Sequence, residues 1–241
     1  MTEDIYSLIT HPDRQSPEDV LTAAIDHYGD RIGLAMSFQI GGVVLLDMIH
    51  RIGRRVSVFS IDTGRLPEET YTCAERISQQ YGIEIHWVFP RHEAVETMIR
   101  KKGLYSFKVS AENRKECCSI RKVEPLTRAL GAYDAWITGR RTDQLVTRKE
   151  LKVIEDDPVH PGKIKINPLE HWNRDQLWEY IHAHNVPYHQ LYNEGYLSIG
   201  CECCTRSCKG ETDERAGRWW WESPEHKECG LHISYQGGSG I

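Results

Sequence analysis

Eight cysteines are the residues of this chain best suited to chemistry, and their spacing is uneven. Cys117 and Cys118 are adjacent, and Cys201-Glu-Cys-Cys204 contains a CxxC pair. Four thiolates can hold a tetrahedral zinc ion or a [4Fe-4S] cluster, because both take soft sulfur ligands. Neighbouring side chains cannot easily reach one small ion, whereas they can reach different irons of a larger cube. The adjacent pair therefore favours a cluster over zinc, and its alternative role is that of two buried small hydrophobes.

The second pair of thiols has more than one register. Cys201 with Cys204 gives CxxC, and Cys204 with Cys208 gives CxxxC, so spacing leaves both open. Cys73 lies in a helical stretch, and we expect it in the core.

Thiol chemistry also depends on the compartment. The chain does not start with a basic region followed by an apolar stretch, and no apolar run reaches membrane-spanning length. We therefore expect a cytoplasmic protein without membrane contact. A reducing compartment disfavours structural disulfides, so metal ligation or thiol chemistry is the better interpretation of the cysteines.

Cys229 stands apart from the other cysteines, in Glu228-Cys-Gly-Leu-His232 near the end of the chain. A solitary thiol beside a histidine can act as a nucleophile where cationic neighbours lower its pKa. The alternative is a surface thiol without a function, and position alone does not separate the two.

Basic residues are concentrated in a protein whose net charge is −5. Residues 121–149 contain seven basic and three acidic residues, and Arg215 and Arg218 follow near the second group of cysteines. Guanidinium groups bind phosphate or sulfate through paired hydrogen bonds, so we expect an anionic substrate. The overall acidity argues against broad nucleic-acid binding. A solvated helix face is the alternative for part of this region.

The elements that must position these residues alternate between strands and helices, which predicts an α/β fold with a mostly parallel sheet flanked by helices. Ligands of such sheets lie beyond the carboxyl ends of the strands. The loops Ser37-Phe-Gln-Ile-Gly-Gly42 and Asp62-Thr-Gly64 both lie there, so we expect Ser37, Asp62 and Gly64 to contact substrate. Strands are predicted at 32–38, 56–61, 83–89 and 135–138, and helices at 17–28 (N-cap Ser16), 43–52, 68–81 and 93–101.

The second half of the chain is less regular. Residues 153–166 resemble a hairpin, and 174–184 form a predicted helix with Asn173 as its N-cap. Three consecutive tryptophans, Trp219-Trp-Trp221, are expected to pack a C-terminal region onto the domain. We divide the chain into an α/β domain (1–205) and a mobile C-terminal tail that contains Cys229 (206–241).

Together these motifs resemble the assimilatory adenylylsulfate (APS) reductases, the iron–sulfur branch of the phosphosulfate reductase family. The resemblance runs from about Ser37 to His232. It rests on Ile61-Asp-Thr-Gly64, Cys117-Cys-Ser-Ile-Arg-Lys-Val-Glu-Pro-Leu126, Trp136-Ile-Thr-Gly139 with Arg141, Asp143 and Gln144, Ile166-Asn-Pro-Leu169, Gly200-Cys-Glu-Cys-Cys-Thr-Arg206, Arg215-Ala-Gly-Arg-Trp-Trp-Trp221 and Glu228-Cys-Gly-Leu-His232.

The resemblance implies an adenine-nucleotide α-hydrolase-like fold, a [4Fe-4S] cluster and thioredoxin-dependent reduction of adenosine 5′-phosphosulfate to sulfite and AMP. The implied ligands are Cys117, Cys118, Cys201 and Cys204, and the implied nucleophile is Cys229, which would form an S-sulfonate. The positions implied to face the phosphosulfate group or the cluster are Lys122, Arg141, Arg215, Arg218 and His232. Residues 1–205 would then be the nucleotide-binding domain with the iron–sulfur site, and residues 206–241 the tail with the nucleophilic cysteine.

The chain departs from the family pattern at several positions. The first loop, from Ser37 to Gly42, lacks the acidic residues of the Ser-Gly-Ala-Glu-Asp sequence found in many members. Cys203 stands where Pro is common, and Thr142 stands where a second Arg is common. Cys208 is an additional cysteine. The nearest rival function is reduction of 3′-phosphoadenylylsulfate or of both nucleotides. A rival from another class is a zinc-binding regulatory or nucleic-acid module. The sequence leaves the oligomeric state open, including a homo-oligomer.

Overall fold

A six-stranded sheet forms the centre of the computed structural model, which describes residues 4–9, 15–144 and 151–222. The strand order is β3-β2-β1-β4-β6-β5. All neighbouring strands are parallel except β5 and β6, so the predicted mostly parallel sheet is confirmed. The strands are β1 (Ile32–Ala35), β2 (Ser57–Ile61), β3 (Ile85–Val88), β4 (Ala135–Ile137), β5 (Ile154–Asp156) and β6 (Ile164–Ile166).

Helices cover both faces of this sheet. Successive side chains of a strand point to opposite faces. Val58 accordingly joins the larger apolar cluster with α2, α3, α4 and α8, and Phe59 joins a smaller cluster with α7. The helices are α1 (Ile5–Leu8), α2 (Pro17–Tyr28), α3 (Ile40–Arg51), α4 (Glu68–Tyr81), α5 (His92–Lys102), α6 (Ala111–Cys118), α7 (Glu124–Leu130) and α8 (Arg174–His184). None of the described helices is long and apolar enough to cross a membrane.

Local signals placed most of these elements correctly. The predicted helices at 68–81 and 174–184 coincide with α4 and α8. Ser16 and Asn173 each form a capping box, accepting from the third helical N–H while that residue's side chain accepts from the cap's own N–H. The hairpin expected in 153–166 exists as β5 and β6, and β6 extends the sheet beside β4. Sequence periodicity missed α6 and α7.

A close approach between two glycines fixes the edge of the sheet where β1 and β4 end. The chain leaves β1 toward β2 on one side, while β4 lies on the other, so the strand order reverses between them. A Cβ added to Gly41, in the first turn of α3, would lie 2.9 Å from the Gly139 carbonyl oxygen. Glycine at both positions therefore lets α3 approach the loop after β4, at the point where such folds bind ligands.

Residues 206–222 follow the last strand and pack against the α/β layers. Arg206 donates its N–H to Gly217, Thr205 bridges to Arg218, and Trp219 is 1% exposed. The division of the chain at residue 205 stays a proposal. Cys229 and His232 lie outside the described residues, as do Arg148 and Lys149.

Candidate active site

A pocket opens at the carboxyl ends of β1 and β4, and we call it the switch-point pocket. It has a volume of about 220 Å³. Its walls come from the loop before α3, the ends of β2 and β4, the π-helical turn before α7, and the segment 198–218. This is the location predicted for a ligand from the alternation of strands and helices.

The loop before α3 is held in one conformation by its neighbours. Phe38 has a φ of 56°, is 1% exposed, and stacks on Trp87 with ring centroids 5.7 Å apart. A positive φ is uncommon for a bulky residue and requires support from the surrounding packing. Gln39 accepts hydrogen bonds from Ser198 Oγ at 3.0 Å and from Ile199 N at 3.3 Å. Ser37 lines the pocket, and its loop is joined by these two hydrogen bonds to Ser198 and Ile199, which also line it. Contact between Ser37 and substrate stays a prediction.

The second loop lines the pocket through a different residue from those predicted. Asp62 is 6% exposed, and its carboxylate accepts from Gly64 N at 2.7 Å and from the Tyr71 hydroxyl at 3.0 Å. Burial and this bond raise the pKa of Tyr71 to about 12. Gly64 has a φ of +68°, which suits glycine in the turn. Thr63 lines the pocket, and Asp62 and Gly64 shape the loop, so their substrate contacts stay predictions.

Cations also line the pocket. Lys122, Arg215 and Arg218 lie in its wall together with Arg140, and their contact with substrate stays a prediction. Arg141 differs, because its guanidinium is fully buried and bonded to two carboxylates. Its Nε donates to Asp143 at 2.8 Å and its Nη2 to Glu214 at 2.7 Å. The described residues lining the pocket include Arg140 rather than Arg141, and substrate binding by Arg141 stays a prediction.

The four cysteines predicted as cluster ligands line a second, narrower cavity, which we call the cysteine cavity. Cys117 and Cys118 are the last residues of α6, Cys201 precedes the short turn Glu202–Cys204, and Cys204 ends it. All four are 8–9% exposed, and Cys203 also lines the cavity. Cys208 is 6% exposed but packs against Gly217, outside this lining. The geometry therefore supports the CxxC register over the CxxxC register.

A π-helical turn over Ser119–Val123 positions the residues between α6 and α7. Such turns are rare and frequently mark functional sites, because the extra residue changes which side chains face one side of the helix. Here Cys117 and Cys118 face the cysteine cavity, while Lys122 lines both that cavity and the switch-point pocket. Arg218 also lines both. The two spaces are therefore joined through two cationic side chains.

The residues of the cysteine cavity fit an iron–sulfur cluster better than a single metal ion. Among the residues that the structure describes, no group of three or more His, Cys, Asp or Glu side chains could hold one ion. The cavity instead presents buried donors without a described partner, namely Nε of Arg121, Nε of Arg218 and Nε1 of Trp219. Such groups are costly to bury unless an acceptor satisfies them. A cluster with four thiolate ligands would supply negative charge and sulfur acceptors at that place.

Side chains of the second loop connect the pocket to the cysteines. Thr63 Oγ1 lies 3.3 Å from Cys201 Sγ, and Arg121 donates to the Thr63 carbonyl oxygen at 2.6 Å. Arg114 is fully buried and forms a paired salt bridge with Glu222, 2.9 Å at its closest. Sequence reasoning did not assign Thr63, Arg114 or Arg121 to the site. Their buried partners are distant in sequence, so spacing carries no signal for them.

Burial and neighbouring charges alter the cysteine thiols. Burial raises the pKa of Cys117, while the Arg121 charge opposes the increase. The Cys204 thiol lies 3.8 Å from Cys203 Sγ, and this bond together with Arg65 lowers the pKa of Cys203. The pKa of Cys73 rises to about 11 because the thiol is buried in the main core, as expected for a packing residue.

Known proteins similar to this one match most of its length. The phosphoadenosine phosphosulfate reductase domain profile matches residues 31–207. An adenosine 5′-phosphosulfate reductase of Pseudomonas aeruginosa (strain LESB58) is 43% identical over 234 residues, which cover 95% of this chain and 86% of that protein. The 5′-adenylylsulfate reductase 3, chloroplastic, of Arabidopsis thaliana is 41% identical over 238 residues, which cover 95% of this chain and 51% of that protein.

Solved structures agree on the fold. The phosphoadenylyl-sulfate reductase of Candida auris, in a phosphate complex, is 32% identical with a TM-score of 0.70, covering 84% of this chain and 96% of that one. Candida glabrata FMN adenylyltransferase with ATP is 18% identical with a TM-score of 0.56, covering 88% and 71%, and this similarity concerns the fold alone. The fold is adenine-nucleotide α-hydrolase-like, as the resemblance implied. With a profile match over most of its length and relatives above 40% identity, the chain belongs to the phosphoadenosine phosphosulfate reductase family.

Proposed function

We propose that this protein reduces adenosine 5′-phosphosulfate to sulfite and AMP in assimilatory sulfate reduction, with thioredoxin as the reductant. One observation carries the proposal: Lys122 and Arg218 line both the switch-point pocket and the cysteine cavity. A nucleotide in the pocket would thus have its phosphosulfate end beside the cations that border the cysteines. The curated relatives named as adenosine 5′-phosphosulfate reductases support the choice of substrate.

The cations of the pocket would stabilise the leaving AMP. Lys122, Arg140, Arg215 and Arg218 surround a space bounded by buried apolar side chains. Cations aimed at developing negative charge in such a site lower the barrier, because they require little reorganisation during the reaction. Arg218 is 4% exposed and donates to the Ile199 carbonyl oxygen at 3.1 Å, which holds its guanidinium in place.

The covalent steps follow from thiol chemistry. The Cys229 thiolate attacks the sulfate sulfur, the bond from sulfur to the phosphate oxygen breaks, and AMP leaves from an enzyme S-sulfonate. A thiolate of the reductant then attacks Cys229 Sγ and releases sulfite. This attack joins the reductant to Cys229 in a mixed disulfide. The second thiol of the reductant attacks that bond, which restores Cys229 and leaves the reductant with its own disulfide. The oxidation of the reductant accounts for the two electrons taken up by the substrate sulfur. His232 is proposed to lie beside the reacting group.

Cys117, Cys118, Cys201 and Cys204 would hold a [4Fe-4S] cluster. When bound, this group would supply a fixed distribution of charge next to Lys122, Arg121 and Arg218. The reaction itself proceeds by thiol exchange. We place it in the cytoplasm, because a reducing compartment keeps such thiols available, and none of the seven cysteines of the described region forms a disulfide.

A second candidate is reduction of 3′-phosphoadenylylsulfate, alone or beside the first substrate. The Candida auris structure, at 32% identity, carries that name. Sulfite release from each nucleotide, with and without thioredoxin, separates the candidates. We expect rapid release from adenosine 5′-phosphosulfate with thioredoxin. Preference for the 3′-phosphorylated nucleotide would replace the first proposal by the second.

The nucleophile is tested with Cys229→Ser. The variant should bind AMP with unchanged affinity but accumulate no S-sulfonate when incubated with substrate and no reductant, as measured by intact-protein mass spectrometry. Cys208→Ala is the matched control, because Cys208 packs outside the cysteine cavity. A normal yield of S-sulfonate from Cys229→Ser would show that Cys229 is not the nucleophile.

A further inference from the structure

The cysteine cavity contains one more thiol than a cluster with four ligands needs. Cys117, Cys118, Cys201, Cys203 and Cys204 all line it. Cys203 is half-buried, and its Sγ lies 3.8 Å from that of Cys204. Two sulfur atoms at this separation are in contact, so an iron atom held by one thiol is close to the other.

The Cys203 side chain is held at this place by a structured neighbour. Arg65 Nη1 lies 3.6 Å from Cys203 Sγ, and its Nη2 donates to the Leu104 carbonyl oxygen at 2.7 Å. The same guanidinium lies 4.8 Å from the centre of the Phe107 ring. A side chain fixed in this way keeps Cys203 Sγ in the lining of the cavity, beside Cys204.

We propose that Cys203 is a reserve ligand of the iron–sulfur cluster, which takes over the iron of Cys204 when that iron–thiolate bond opens. The inference rests on the cluster proposed above. In this exchange the bond from iron to Cys204 Sγ breaks and Cys204 takes up a proton. The bond from iron to Cys203 Sγ forms and Cys203 gives its proton to solvent, so no atom changes oxidation state. The exchange would retain iron that is otherwise lost.

Cys208 provides a matched comparison within the same stretch of chain. It is also buried, at 6% exposure, and lies four residues beyond Cys204. Its Sγ would lie 3.4 Å from a Cβ at Gly217, and its N–H donates to the Gly195 carbonyl oxygen. This thiol faces a backbone turn rather than the cysteine cavity, so its loss should leave the cluster unaffected.

The test compares wild type, Cys203→Ala, Cys208→Ala, Cys204→Ala and the double variant lacking Cys203 and Cys204. Iron and sulfide per chain are measured after purification, and bleaching of the visible absorption is followed with an iron chelator in air. We expect Cys203→Ala to bleach roughly 10-fold faster than wild type, the scale of losing a partner around a metal site. Cys208→Ala should bleach at the wild-type rate. Cys204→Ala should keep iron and sulfide that the double variant loses.

Either result supports the proposal: faster bleaching specific to Cys203→Ala, or iron in Cys204→Ala that depends on Cys203. Equal bleaching of Cys203→Ala and Cys208→Ala, with equal iron in the single and double Cys204 variants, overturns it. If Cys204→Ala does not fold, the bleaching rates alone decide. Wild type without iron and sulfide would instead refute the proposed cofactor, so the two failures are distinguishable.

Discussion

His189 is a fully buried histidine whose two ring nitrogens have different partners. Its Nδ1 accepts from Leu191 N at 3.3 Å, and its Nε2 lies 3.0 Å from Thr70 Oγ1. Because a backbone N–H can only donate, Nδ1 must be unprotonated, and the neutral ring carries its proton on Nε2. Burial lowers the pKa of His189 to about 4. Thr70 also lines the switch-point pocket, so this ring supports the wall of the site.

The protein should therefore lose stability in mild acid. Between pH 6.5 and about 4 the unfolded chain binds a proton at this histidine and the folded chain does not. Stability contributed by the neutral ring is thus present above pH 6.5 and lost as the pH falls. The full effect of one group with this shift is about 3 kcal/mol. Urea unfolding at several pH values measures it.

The comparison uses His189→Gln, whose side-chain amide keeps a donor for Thr70 and does not titrate in this range. The difference in unfolding free energy between wild type and His189→Gln should shrink as the pH falls from 6.5 to 4. His92→Gln is the control, because the His92 side chain is 79% exposed. Parallel pH profiles for wild type and His189→Gln would contradict the buried neutral ring.

At the scale of elements, the start of α3 and the loop after β4 are set by a contact between two glycines. A Cβ on Gly41 would meet the Gly139 carbonyl oxygen at 2.9 Å, and a Cβ on Gly139 would meet the Gly41 carbonyl carbon at 2.9 Å. Backbone atoms cannot yield as the end of a side chain can. This approach therefore determines the width of the switch-point pocket.

Gly41→Ala should push α3 away from β4 and weaken nucleotide binding. Overpacking of this kind typically costs about 1–3 kcal/mol. The same amount taken from binding would be roughly a 5- to 150-fold loss in affinity for AMP, measured by calorimetry. Gly42→Ala is the matched control in the same turn, because its Cβ would meet the flexible Met36 sulfur at 3.1 Å. Equal affinities in the two variants would show that the pocket does not depend on this contact.

Elements with strong local signals could be predicted from the sequence. Ser16 and Asn173 satisfy their helix starts within three residues, so the capping pattern is visible in the chain itself. The helix α6 was missed because it is rich in polar residues, and its buried Arg114 is satisfied by Glu222, 108 positions away. A π-helical turn then interrupts the periodicity that would indicate α7.

The residues of the candidate site also fall into two groups, those that the motifs indicated and those whose contacts the motifs could not show. Motif resemblance singled out Lys122, Arg215, Arg218 and the four cysteines, which the structure brings to two joined cavities, while their roles stay predictions. It could not show that Arg141 is engaged by Glu214, which is 73 positions away. It could not show either that Asp62 is used within its own turn. These outcomes depend on tertiary contacts, which motif spacing does not encode.

At the scale of the whole molecule, a buried ion pair links the cysteine cavity to the end of the described chain. Arg114 and Glu222 have side chains 0% and 6% exposed, and two hydrogen bonds of 3.0 and 2.9 Å join them. Arg114 also lies 4.6 Å from the ring centre of Trp219. Residues 223–241, with Cys229, follow directly in the sequence, so this pair fixes the point from which that segment starts.

Glu222→Ala should therefore act on both stability and chemistry. It removes one partner of a buried ion pair, which typically costs about 3–5 kcal/mol. A double variant with Arg114→Met and Glu222→Ala should recover part of that loss, because the buried charge of Arg114 is removed as well. Asp134→Ala is the control. It removes one partner of the exposed pair between Arg31 and Asp134, whose side chains are 54% and 49% exposed, and should cost less than about 1 kcal/mol.

The same variants test the chemistry. With substrate saturating, the folded Glu222→Ala protein should form the Cys229 S-sulfonate more slowly than Asp134→Ala while binding AMP with similar affinity. Equal adduct rates in stopped-time mass spectrometry would show that the ion pair contributes to folding alone.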